Sequence, residues 1–259
     1  KGAAYATIIS MFVLMVWVLV HFRGKRSVVK LRNKNIGIDR KILTEIVAIG
    51  MAPFAMQIAG SFVHGLLNKK LITFGGDLAV GAMGIINSML TIFIMAIVAI
   101  NMASQPIIGF NYGAKSTQRV KDALRISLIA ATLIAVFAFI VIQAIPGLIV
   151  KLFNDDSQVL YDISVNGIRL VILALPIVGF QVVASNFFQS VGKAKLAMFA
   201  TLFRQVIMLI PLIFIFPWFW GINGIWLAFP VADSMSAIVV TIMLIREWKR
   251  LNLLENEIA

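Results

Sequence analysis

The chain has 259 residues, 61% of them hydrophobic and 13% charged, with a mean hydropathy of +0.97. Soluble globular chains carry roughly 45–50% apolar and about 25% charged residues, and the long apolar blocks here exclude a soluble fold in favour of a polytopic all-α membrane protein. The net charge is +12, but the basic residues sit in short connectors between apolar blocks, which reads as membrane topology and leaves no solvated basic face for a nucleic acid.

A membrane helix needs about 20 mostly apolar residues. The first such block is Ala3–Phe22, and a polar, basic stretch runs from Arg23 to Lys41. Apolar blocks follow near 43–67, 78–101, 124–145, 164–188, 196–216 and 223–245, which makes seven predicted spans. The connector 146–162 is long enough for a short interfacial helix over Ile149–Phe153, and a polar tail begins at Arg246.

With seven spans the connectors alternate sides. One side gathers eighteen Lys and Arg residues: the 23–41 stretch, Lys115 to Arg125, Lys193 to Arg204, and Arg246 to Arg250. The other side holds five: Lys1, Lys69, Lys70, Lys151 and Arg169. Positive charge is retained inside, so the first side and the C-terminus are expected in the cytoplasm. The stretch 23–41 differs from the other connectors in length and charge and reads as a linker between two helical bundles. Residue 1 is Lys, with no signal-peptide pattern, so the chain is expected to begin inside a longer protein.

Cysteine is absent, which excludes disulfides and thiolate metal sites and fits a bacterial inner membrane. With two His, no G-x-S-x-G and no P-loop, nothing points to an enzyme. Prolines at 53, 106, 176, 211 and 230 fall within or beside spans. Each removes a helix hydrogen bond and favours a kink.

Polar residues inside spans mark candidate sites, because lipid makes them costly. Gln57, Ser61, His64 and Asn68 are spaced 4, 3 and 4, hence on one helical face. Asn87 and Thr91 share a face of the next span, with Ser88 beside them. Gln181, Ser185 and Gln189 share a face of another, near Phe180, Phe187 and Phe188. Amides beside aromatic rings suit a loose site for lipophilic cations, although interhelical hydrogen bonding explains the same pattern. The substrate-cavity candidates are Gln57, Ser61, His64, Asn87, Thr91, Gln181, Ser185 and Phe188. Asp233 is the one acid well inside a predicted span, while Glu45 and Asp77 lie near span ends. A buried carboxylate must neutralise or find a partner, and Ser236 lies one turn away. Asp233 is therefore the ion-coupling candidate. His64 is a proton-relay or structural histidine, and His21 is expected at an interface.

The end of the third span reads Gln105-Pro106-Ile107-Ile108-Gly109-Phe110-Asn111-Tyr112-Gly113-Ala114-Lys115, and the fifth ends Phe187-Phe188-Gln189-Ser190-Val191-Gly192-Lys193. The sixth carries Arg204-Gln205, and the seventh Trp226-Leu227-Ala228-Phe229-Pro230-Val231-Ala232-Asp233. In order and place these strings resemble the C-terminal bundle of the multidrug and toxic compound extrusion (MATE) family, its bacterial MepA/DinF-like branch in particular. The resemblance covers nearly the whole chain.

It implies residues 1–22 as the last helix of a missing N-terminal lobe and 23–41 as a basic cytoplasmic linker. It further implies 42–247 as a six-helix C-terminal lobe and 248–259 as a cytoplasmic tail. The implied function is half of an H+- or Na+-coupled antiporter, without any cofactor, that exports drug-like lipophilic organic cations by alternating access across the bilayer. The alternatives are half of a flippase for a lipid-linked precursor, whose cavity should be cationic, or a fragment that does not transport. NorM-related members carry cation-linked acids where this chain has Ser61 and Val178, so a sodium site wholly inside this lobe is not implied.

Overall fold

The computed structural model describes residues 2–24, 27, 37, 39–153 and 157–258. Most of the 23–41 linker lies outside the described residues, as does the side chain of Glu45. Among the described residues, six helices are long and apolar enough to cross a membrane, and no strand is present. The protein is a multi-pass all-α membrane protein.

Contacts divide it into Lys1–Gly50 and Met51–Ala259. In the first unit, α1 (Gly2–Arg23) is apolar all round: Val13, Trp17 and Val20 are all exposed. Lipid is the solvent that such a surface requires.

In the second unit, the apolar part of α2 (Arg40–Gly113) runs over Met56–Gly113, 58 residues. At about 1.5 Å per residue that is roughly 87 Å, far more than the ~30 Å hydrocarbon core. Gly76 divides it, with φ 67° and ψ −169°, a backbone region open essentially to glycine. The two arms share one core, with Leu67 and Leu71 from the first and Met83 and Ile86 from the second. This element therefore supplies two passes, as the spacing of the two apolar blocks predicts.

The remaining elements follow in order: α3 (Thr117–Ala144), α4 (Pro146–Lys151), α5 (Gln158–Val171), α6 (Leu175–Ser190), α7 (Ala194–Leu202), α8 (Ile210–Trp220) and α9 (Ile222–Ile258). The short connector helix starts at Pro146, earlier than the predicted Ile149–Phe153, because proline suits a helix's first turn.

Two of the five prolines coincide with breaks in α geometry. Before Pro176, Ile172–Ala174 forms a 3-10 turn that joins α5 to α6 in one span. Pro176 has no N–H for the Ile172 carbonyl, and the Leu175 N–H bonds that oxygen instead. Before Pro211, Phe203–Leu209 forms a π segment between α7 and α8. Pro211 likewise has no N–H for the Ile207 carbonyl, and the wider π turn absorbs the mismatch. Helical geometry continues through Pro106 and Pro230.

The contacts sort the helix ends into two groups. At one end, the α2 terminus lies against α6, since a Cβ on Gly109 would stand 3.1 Å from the Ser190 oxygen. There Lys193 also pairs with Glu247 of α9. The positive φ that turns the chain out of α2 falls on Lys115, at 56°, rather than on Gly109 or Gly113. At the other end, a Cβ on Gly75 would meet Ile222, and Asn166 Nδ2 donates to Asn223 Oδ1 at 2.6 Å. Lys70 Nζ sits 4.2 Å from the Phe214 ring centroid near that end. The first group carries Lys115, Lys193 and Lys195, and the second Lys69 and Lys70.

Candidate functional site

The site centres on the π segment. Arg204 is its second residue, ten positions into the span Ala194–Trp220, hence about 15 Å along the helix. The guanidinium donates from Nε to Oδ1 of Asp233 on α9 in an ion pair. Asp233 is only 5% exposed, while a third of the Arg204 side chain remains accessible. Carboxylate and guanidinium thus meet inside the membrane-spanning part, where an unpaired charge would be costly.

Two cavities share Ile94 and Arg204 in their walls. The larger, of about 450 Å³, takes polar side chains from α2 (Asn101, Gln105) and from α6 (Gln181, Ser185, Gln189). Met56, Ile97 and Met102 supply apolar wall. The smaller, of about 230 Å³, is lined by His64, Asn87, Thr91 and Gln205. Gly60 forms part of its wall, and a Cβ there would stand 3.7 Å from the Gln205 Oε1. Among the described residues, no Asp or Glu lines either cavity.

The predicted site residues separate into three groups. Gln181 and Ser185 line the larger cavity, and His64, Asn87 and Thr91 the smaller. Gln57 and Ser61 share the exposed face of α2 with His64 but line neither. Phe188 is not a wall residue: it is fully buried and packs edge-on to Phe187, with ring centroids 5.6 Å apart. The expected bond from Ser236 to Asp233 is replaced. Gln181 Nε2 donates to Ser236 Oγ at 2.7 Å, and Arg204 takes the carboxylate.

Hydroxyls in the walls are largely turned back onto their own helices. Thr91 Oγ1 donates to the Asn87 carbonyl at 2.7 Å, and Thr201 Oγ1 to the Ala197 carbonyl at 3.1 Å. Such back-bonding satisfies a hydroxyl where no water is at hand. The amides and Arg204 remain as the groups best placed to meet a ligand. Among the described residues there is no cluster of three or more His, Cys, Asp or Glu that would hold a metal ion.

A span interrupted by a π turn, with an arginine–aspartate pair beside a polar cavity, is the kind of interior found in transport proteins. The MatE family profile matches residues 49–215. The chain belongs to the MatE family.

Among curated relatives, the multidrug export protein MepA of Staphylococcus aureus (strain bovine RF122 / ET3-1) is 24% identical over 242 residues, 93% of this chain and 53% of the relative. MepA of Staphylococcus haemolyticus (strain JCSC1435) is 22% identical over 236 residues, covering 91% and 51%. The chain thus spans about half the length of these relatives and corresponds to their C-terminal half. An outward-facing MATE multidrug resistance transporter of the MOP superfamily superposes with TM-score 0.86 at 24% identity, over 97% of this chain and 56% of that one. A MOP superfamily transporter from Pyrococcus furiosus, described as having a binding pocket of reverse polarity, superposes with TM-score 0.86 at 23% identity, over 97% and 57%. These structures share the fold.

Arg204 was not legible as a site residue. Beside Lys193 and Lys195 it reads as one more cytoplasmic anchor. The available signal was its depth: it is the ninth residue of the predicted block 196–216, too deep for a helix-end charge.

Proposed function

We propose that this MatE-family chain forms the C-terminal half of a multidrug exporter, working by alternating access and driven by inward movement of H+ or Na+. The observation that carries this reading is the larger cavity, which brings amides of α2 and α6 together with Met56 and Met102 between membrane spans. Adaptable methionines with scattered amides accept varied organic molecules. Lipophilic organic cations are the substrates first expected of such a wall.

Within this reading Asp233 is the ion-coupling candidate of the lobe. Its Oδ1 accepts from Arg204, so binding of H+ or Na+ to this carboxylate competes with the ion pair. The end rich in Lys115, Lys193 and Lys195 is assigned to the cytoplasm, with the C-terminus there.

A second reading, half of a flippase for a lipid-linked precursor, is favoured by one observation: the charged residue lining both cavities is an arginine. A cationic wall suits pyrophosphate.

The test is transport by the gene product that carries this chain, reconstituted in proteoliposomes. Ethidium efflux that needs an imposed H+ or Na+ gradient supports export; no gradient-dependent efflux refutes it. The 259-residue chain alone supplies one wall of a two-lobed cavity and is expected to be inactive.

A further inference from the structure

We infer that the outer face of α3 carries a binding site for one anionic phospholipid, with Arg125 at the headgroup and a groove between α3, α6 and α9 for the acyl chain. The site stands apart from the transport cavity. No residue of α3 lines either of the two cavities, and the lipid held here is resident rather than cargo.

Exposure identifies the face. Along α3, Ile126, Ile129, Leu133, Phe137 and Ile140 are all exposed and recur at helical spacing. They lie opposite the buried side that holds Ser127, Ala131 and Ala135. A stripe this apolar on a membrane-spanning helix takes hydrocarbon as its solvent. Where the stripe meets α6 and α9 it is not flat. Arg125, Leu128, Ile129 and Leu133 of α3, with Phe180 of α6 and Trp248 of α9, enclose a groove of about 390 Å³. From Arg125 to Leu133 the groove follows α3 for about 12 Å.

Charge selects the lipid. Arg125 is exposed, and no carboxylate among the described residues pairs with it. The nearest acid along α3, Asp122, accepts from Gln118 Nε2 at 3.1 Å. Glu247, next to Trp248 in sequence, is taken by Lys193. Arg246, Lys249 and Arg250 flank Trp248 and are exposed. The mouth of the groove therefore carries uncompensated positive charge above an apolar floor. A guanidinium fits two phosphate oxygens at once, and an indole sits well at headgroup depth with its ring on hydrocarbon. Basic pockets between membrane helices at a cytoplasmic end bind anionic headgroups through this combination. A zwitterionic lipid offers the same phosphate, but its own ammonium group offsets the charge.

The test uses the gene product that carries this chain, in phosphatidylcholine nanodiscs, with Trp248 as the reporter. The nanodiscs contain increasing fractions of phosphatidylglycerol or phosphatidylcholine with a doxyl quencher high on one acyl chain. The Trp248 signal is the difference from Trp248→Phe. The anionic lipid is expected to quench at about fivefold lower mole fraction than the zwitterionic one, the advantage of one arginine near a headgroup. Arg125→Gln should bring the two lipids within about twofold of each other. Lys195→Gln, at the same end of the bundle but off the groove, should keep the preference. Thr132→Phe fills the groove without changing charge and should weaken quenching by both lipids alike.

Arg125 is exposed and unpaired among the described residues, so Arg125→Gln is expected to keep the thermal midpoint of the unaltered protein. Equal quenching by the two lipids in the unaltered protein, no quenching by either, or a preference that survives Arg125→Gln each overturns the inference. None of these outcomes bears on gradient-driven ethidium efflux, which tests the export reading separately.

Discussion

Gly179 of α6 lies against Ala131 of α3 so closely that a Cβ on it would stand 2.4 Å from the Ala131 carbonyl oxygen and 2.9 Å from the Ala135 Cβ. Small residues repeat along the facing side of α3, at Ser127, Ala131, Ala135 and Ala138. In lipid there is little hydrophobic drive between helices, so close backbone approach takes its place. This seam holds α6, and with it Gln181 and Ser185, at the cavity wall.

Gly179→Ala should therefore force the two helices apart and lower stability by about 2 kcal/mol or more, in the range of core overpacking. Gly113→Ala, where a Cβ meets nothing within 4 Å, serves as the control and should be near neutral. Thermal unfolding in detergent, followed by tryptophan fluorescence, separates the two.

Lys193 and Glu247 pair at the end where α6 turns into α7, and Glu247 is only 6% exposed. Lys193→Met strands the carboxylate and should cost about 3 kcal/mol, at the lower end for a broken buried pair. Lys193→Met combined with Glu247→Leu should recover most of that loss in the same melting assay. A double variant as unstable as the single one would show that the pair is not what holds this turn.

Gly76 turns the chain between two spans at φ 67° and ψ −169°. Gly76→Ala has no clash to relieve, since a Cβ there meets nothing within 4 Å, but the conformation itself should cost about 1–3 kcal/mol. A wild-type midpoint for this variant would mean that the turn relaxes freely.

The natural absence of cysteine allows topology to be read directly. Single cysteines at Lys115 and Lys195 should react with an impermeant maleimide only from the cytoplasmic side. Cysteines at Lys70 and Lys151 should react only from outside. Labelling from the opposite sides would invert the assignment of the charged end.

The spans were legible because a block of about 20 apolar residues has few other uses. The break at Gly75–Gly76 was legible in the gap between the blocks ending at 67 and starting at 78. Facing was harder. In lipid both sides of a helix are apolar, so no amphipathic stripe distinguishes Phe188 in the core from a residue on a cavity wall. Charge is hard to read for a related reason: Arg204 shares a sequence neighbourhood with true helix-end lysines, and its partner Asp233 lies 29 residues away. Asp233 showed its need for a partner but not which one. Ser236 was nearer in sequence, and Gln181 reached it first. Thr91 gave a polar signal that its own helix consumes through the Asn87 carbonyl.

The most direct test of the central claim is gradient-driven ethidium efflux by the gene product that carries this chain, compared with its Arg204→Gln/Asp233→Asn form in proteoliposomes. Efflux that depends on an imposed H+ or Na+ gradient, and falls at least about tenfold in the doubly substituted form, is the predicted result. Absence of gradient-dependent efflux, or full efflux without the Arg204–Asp233 pair, would contradict the account.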